Sequence, residues 1–127
     1  MMSISSHTMI KVLLVGTGGF FGAIMRYSVA GAVMNVLDRP IFPYGTLVVN
    51  VLGCMLIGLL AGLAESRQLF SPEIRMLVFI GFLGGFTTFS TFGYEVFQFA
   101  RDGQVLSACL NIGLHLVLGL GGVYVGA

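Results

Sequence analysis

The sequence predicts an all-α membrane protein with four transmembrane helices, the third of them broken near the bilayer midplane. Three observations carry that reading. Hydrophobic residues make up 57% of the chain and charged residues 9%, with a mean hydropathy of +1.00, whereas a soluble domain carries about 25% charged residues. The apolar residues fall into four runs, each close to or beyond the ~20 residues that cross a hydrocarbon core as helix. The third run, Ile74 to Ala100, is interrupted by Gly84-Gly85 and by the hydroxyls of Thr87, Thr88, Ser90 and Thr91.

A length of 127 residues points to one transmembrane domain, 1–127. A net charge of +1 gives no reason to expect nucleic acid or a polybasic membrane-surface region. Cys54 and Cys109 lie inside apolar runs without CxxC spacing and read as small buried hydrophobes. The polar tail Met1–Thr8 is expected to fray. The apolar run after Lys11 is too long for a signal peptide and lacks a small-residue cleavage site, so it reads as a retained span.

Span 1 is expected over about 9–36, with Gly18 and Gly22 in GxxxG spacing and Arg26 as its one deep charge. A guanidinium at that depth must snorkel or face a wet interior. Pro40 and Pro43 hold the first loop open. Span 2, about 45–64, is apolar except for Thr46 and Asn50, which stand four apart and share a face with Gly53 and Ile57. Glu65-Ser66-Arg67-Gln68 forms the second loop, and Ser71-Pro72-Glu73 has the pattern of a helix cap and first turn. Span 3 covers about 74–100 and contains Glu95 in its second half. Arg101-Asp102-Gly103 makes a tight loop into span 4, about 104–126, where Ser107, Asn111 and His115 form one polar stripe. Each span carries a GxxxG pair: Gly18/Gly22, Gly58/Gly62, Gly81/Gly85 and Gly122/Gly126. Lipid gives apolar helices no reason to associate, so small residues that allow close backbone approach must do so.

The break in span 3 is the feature with chemical content. Each glycine weakens a helix by roughly 1 kcal/mol relative to alanine, and Ser and Thr compete for backbone hydrogen bonds. Non-helical backbone at that depth must be satisfied by protein or by a wet cavity. Freed carbonyls suit a cation and half-helix amide ends suit an anion; a plain packing kink is the bland alternative.

No catalytic constellation or metal-ligand cluster is evident. His7 lies in the tail, and His115, alone in span 4, has the ordinary role of an interhelical hydrogen-bond partner as its bland reading. The intramembrane polar groups are mostly neutral donors, Thr46, Asn50, Thr87, Thr88, Ser90, Thr91, Ser107 and Asn111, with Glu95 as the main acid. Such donors can replace the water of a small, strongly hydrated ion. Phe86, Phe89 and Phe92 recur at three-residue spacing. They read either as packing or, through the positive ring edges of Phe89 and Phe92, as a surface for a small anion.

Four spans put both termini on one side. Lys11, Arg67 and Arg75 fall on that side, and Arg26, Arg39 and Arg101 on the other. The positive-inside rule needs an excess, and there is none. The expected consequence is a chain that inserts both ways and pairs as an antiparallel dual-topology homodimer.

The segments GGFFGAIMR, GTLVVNVLG and GFLGGFTTFSTF, together with the order of the four spans, resemble the Fluc (CrcB) family of small bacterial fluoride channels. The resemblance implies a fluoride-selective channel in a bacterial inner membrane, not an enzyme, built as an antiparallel homodimer that exports fluoride passively. It implies that Phe89 and Phe92 contact the anion by their edges. Asn50 would orient and hydrate the pore, with Thr46 a turn earlier, and Ser90 and Thr91 would belong to a polar track. Arg26 falls near the vestibule and Glu95 near the outer part of the track. Carbonyls of Gly84 and Thr87 from both subunits would hold a structural sodium ion. Span 4 would add Asn111 and His115 to the pore, a departure from many members, where Tyr and Ser are common at these positions, with Gly119 a turn later. A small multidrug-type exporter is the alternative, but span 1 holds no acid and the chain holds no tryptophan. A packing subunit of a larger complex is a further alternative and leaves the break without a purpose.

Overall fold

Four helices long and apolar enough to cross a membrane dominate the fold, and no strand occurs among the described residues. The computed structural model describes residues 5–68 and 70–127. Helix α1 spans Ser6–Val36 and α2 spans Tyr44–Arg67. The third span opens with α3, Pro72–Arg75, widens into a π-helical segment, Met76–Leu83, and closes its first half with α4, Gly84–Phe86. Helix α5, Phe89–Arg101, is the second half, and α6 spans Val105–Gly126.

The caps explain the boundaries. Expected fraying through Thr8 does not extend past Ser5, because Ser5 Oγ accepts the Thr8 amide at 3.2 Å and starts α1 at Ser6; residues 1–4 lie outside the described residues. Helix α2 likewise absorbs Glu65, Ser66 and Arg67, expected as loop, and ends at Gln68, whose φ of 51° is left-handed. Ser71 Oγ accepts the Ile74 amide at 3.3 Å and Pro72 follows as the first helical residue, as the sequence pattern predicts. Gly103, at φ 79°, turns the chain from α5 into α6.

Glycines set the packing. A Cβ on Gly18 would strike the Leu77 carbonyl, and one on Gly22 the Phe82 carbonyl. From the other side, a Cβ on Gly81 would fall 2.9 Å from the Val15 carbonyl oxygen, and one on Gly85 2.7 Å from that of Gly19. The GxxxG pairs of spans 1 and 3 therefore face each other. The same holds for α2 and α6: Gly58 meets the Val123 backbone and Gly126 the Met55 backbone. Backbones this close gain dispersion contacts along their length, which is the available drive in lipid.

The break is two residues long. Thr87 (ψ 156°) and Thr88 (φ −146°, ψ 114°) are extended, and Thr88 Oγ1 caps α5 by accepting the Thr91 amide at 3.3 Å. Helix α2 and α6 lie beside this break, and the fully buried side chains Val49 and Asn111 come from those two helices.

Candidate functional site at the break in the third span

Breaking a helix releases backbone groups, and the neighbouring spans supply partners for them. Asn50, on α2, faces Thr88: its Oδ1 accepts the Thr88 amide at 2.8 Å, and its Nδ2 donates to the Thr88 carbonyl at 3.0 Å. One carboxamide thus stands in for a strand partner at an extended residue. Arg26, on α1, donates through Nε to the Gly85 carbonyl at 3.0 Å. A cation there also suits the carboxyl end of the first half-helix.

The second hydrogen of Asn50 Nδ2 points at His115 Nε2, 3.0 Å away, and His115 Nδ1 lies 3.0 Å from the Asn111 carbonyl. Thr88 fixes which end of the Asn50 amide is which, so Nε2 must accept. The proton therefore sits on Nδ1, which donates to Asn111, and His115 is held as one neutral tautomer. The imidazole also lies against Phe92, with ring centroids 4.1 Å apart.

A second cluster adjoins the first. Thr46 Oγ1 donates to Glu95 Oε2 at 2.6 Å, and Asn111 Nδ2 approaches Glu95 Oε1 at 3.5 Å. Asn111 is fully buried and its Oδ1 has no hydrogen-bond partner among the described residues. Through Asn111 the two clusters form one string, Thr46–Glu95–Asn111–His115–Asn50–Thr88, that runs from α2 through α5 and α6 to the break.

Beside the string lies a cavity of about 710 Å³, open on one side of the single chain. Asn50, Thr87, Thr88, Phe89, Phe92 and His115 are among its lining residues. Phe89 is 82% exposed, and its ring centroid lies 5.6 Å from that of Phe92. Ser90, Thr91 and Gly84 are exposed on the same stretch. Thr87 turns its hydroxyl back to the Leu83 carbonyl at 3.0 Å.

The residues singled out from the sequence are therefore divided. Asn50 and His115 meet at the break; Thr46, Glu95 and the Asn111 side chain form the adjoining cluster; Phe89, Ser90 and Thr91 face outward. Three-residue spacing does not survive the break: Phe86 is buried and stacked on Phe82, while Phe89 and Phe92 start a new helix. Both Asn50 hydrogens are taken by protein, which leaves the exposed hydroxyls and the ring edges as the open donors. Two participants escaped sequence reasoning. Thr88 counted as one hydroxyl among four, although Thr followed by a new helix is a cap signature. The carbonyl of Gly85 has no sequence signal.

The hydrogen bonds that an unbroken helix would make are diverted. The Thr88 amide goes to Asn50 in place of the Gly84 carbonyl, and the Thr91 amide goes to the Thr88 hydroxyl in place of the Thr87 carbonyl. Gly84 and Thr87 accordingly present carbonyl oxygens of the kind that hold a hard cation.

Known proteins match the chain along most of its length. Residues 13–127 match the family model described as CrcB-like protein, Camphor Resistance (CrcB). The fluoride-specific ion channel FluC 1 of Methanosarcina acetivorans is 44% identical over 118 residues, covering 93% of this chain and 88% of that protein. The fluoride-specific ion channel FluC of Geobacter sulfurreducens is 46% identical, with 93% and 94% covered. That of Chlorobaculum tepidum is 48% identical, with 91% and 90% covered. With four membrane-spanning helices and relatives matched along nearly their whole length, this multi-pass membrane protein belongs to the CrcB family.

Proposed function

We propose that this chain is a fluoride-selective channel that lets fluoride leave the cytoplasm passively across a bacterial inner membrane, and that it works as an antiparallel homodimer. The observation that carries the reading is the clasped break in the third span, set beside the paired rings of Phe89 and Phe92 and a cavity open to one side.

The open side supports the dimer. Lipid cannot hydrogen-bond exposed backbone or hydroxyl groups. Gly84, Ser90 and Thr91 are exposed on the single chain, and a second copy with its own broken helix would cover them. The even distribution of positive charge supports insertion in both orientations.

In the channel, Asn50 holds the break open and Arg26 satisfies its carboxyl side. Phe89 and Phe92 offer positive ring edges to the anion, and Ser90 and Thr91 offer hydroxyl hydrogens. Thr46, Glu95 and Asn111 continue the polar path toward the water. Several weak sites in series give selectivity without trapping. The membrane potential supplies the direction, at about 2.3 kcal/mol per charge per 100 mV. The carbonyls of Gly84 and Thr87, two from each copy, would hold a structural sodium ion, and their diverted hydrogen bonds fit that role. Such an ion would neutralise the carbonyl dipoles gathered at the seam.

The test is efflux from liposomes that hold only this protein, read with a fluoride electrode after valinomycin is added. Fluoride should leave and chloride should not. Chloride passing as readily as fluoride, or neither ion passing, would reject the reading.

A further inference from the structure

We infer that His115 is a positioning residue: by accepting a hydrogen bond at Nε2 it fixes the Asn50 carboxamide in the one orientation that clasps the break. This rests on the proposed channel function and adds a residue on which the channel's open structure depends.

The argument is one of counting donors and acceptors. The Asn50 carboxamide has one oxygen and two hydrogens directed at partners, and all three are engaged: by the Thr88 amide, the Thr88 carbonyl and His115 Nε2. A carboxamide facing a mismatched neighbour normally flips. Here a flip would set the NH2 group against the Thr88 N–H and the oxygen against the Thr88 carbonyl, so that escape is shut. His115 must therefore present a lone pair. Its other nitrogen is committed as the donor to the Asn111 carbonyl, one turn back on α6. The ring has no rotation that keeps both contacts, and Phe92 lies against its face at 4.1 Å between centroids. The same ring thus sets Asn50 on one side and backs a pore phenylalanine on the other.

A proton on Nε2 would replace an acceptor with a donor and leave two N–H groups opposed. Acidification should therefore loosen the clasp and lower fluoride flux. The other ionisable groups of the site are Glu95 on α5, which meets Asn111; Cys54 on α2, which lines the same cavity; and Arg26 on α1, which holds Gly85. A variant that keeps all three and changes only the imidazole separates its contribution from theirs.

Glutamine places an oxygen where Nε2 stands and does not ionise; phenylalanine keeps the bulk and the tilted ring contact with Phe92 and has no acceptor. At pH about 7.5, His115→Gln should keep valinomycin-dependent fluoride flux within about threefold of the parent, and His115→Phe should lose about tenfold or more, the scale of one buried donor left unpaired. Between pH about 7.5 and about 5.5 the parent should slow and His115→Gln should not. Full flux in His115→Phe, or an equal acid loss in His115→Gln, would overturn the inference while leaving the channel reading intact. Absence of flux in the parent would instead defeat the channel reading. The positioning role then still stands or falls on imidazole 15N spectra of the full chain in bilayers, recorded in a His7→Gln background so that His115 is the one imidazole present. A neutral ring protonated at Nδ1 supports it, and one protonated at Nε2 overturns it.

Discussion

Removing the Asn50 carboxamide tests the clasp directly. Asn50→Ala strips three hydrogen bonds at once, of 2.8, 3.0 and 3.0 Å, and leaves the Thr88 amide, the Thr88 carbonyl and His115 Nε2 without partners. An unpaired buried polar group costs about 1–3 kcal/mol, so three set a ceiling of roughly 3–9 kcal/mol. These groups are only part-buried, so relaxation recovers part of that loss. A destabilisation of about 2–4 kcal/mol is the expected result. It can be read from helix circular dichroism during titration with a denaturing detergent, at one fixed protein concentration because the apparent stability of the proposed dimer depends on it. Asn50→Asp keeps the acceptor for the Thr88 amide but sets a carboxylate oxygen against the Thr88 carbonyl, and should cost as much. In a double-mutant cycle, Asn50→Ala and His115→Phe should couple by about 1 kcal/mol or more, since they share a hydrogen bond. Stability within about 0.5 kcal/mol of the parent for both Asn50 variants would refute the reasoning.

Three further outcomes are expected. Phe89→Ile and Phe92→Ile keep apolar bulk and remove the ring quadrupole, so each should leave little or no fluoride flux in liposomes; full flux with both changed would remove the ring-edge argument. Gly22→Ala drives a Cβ into the Phe82 carbonyl, which is backbone and cannot step aside; a loss of about 1–3 kcal/mol should appear in the same detergent titration, whereas Gly16→Ala, with nothing within 4 Å, should be neutral or slightly stabilising. Replacing sodium with a large organic cation should shift the proposed dimer toward monomer in light scattering, because the carbonyls of Gly84 and Thr87 proposed to share the ion would lose it.

Spans and packing surfaces were legible in the sequence for a common reason. Length and apolarity decide which segments cross lipid, and in lipid only small residues let two backbones touch. The GxxxG pairs therefore named the interfaces, although not which pair meets which. The break was legible as well, from Gly84-Gly85 and the run of hydroxyls, because these residues weaken a helix wherever they stand. The helix ends were less so. Ser5 and Ser66 extended α1 and α2 through local hydrogen bonds that compete with loop-forming tendencies by small margins.

Pairing across the bundle was decided only in three dimensions. Four-residue spacing put Thr46 and Asn50 on one face, and Asn111 and His115 on another, but nothing in the order of residues says that Asn50 meets Thr88 while Thr46 meets Glu95. That choice follows from how α2 seats on the break, where a Cβ on Gly53 would strike the Thr87 side chain, and on α6 through Gly58, Gly122 and Gly126. The His115 tautomer is a further step removed. It is dictated by the Asn50 amide, whose orientation is dictated by the Thr88 backbone, and that backbone is extended only because the helix fails there. The amino-acid order fixes where the helix fails; the packed bundle fixes which groups answer the failure, because a hydrogen bond depends on distance and direction that no spacing rule contains.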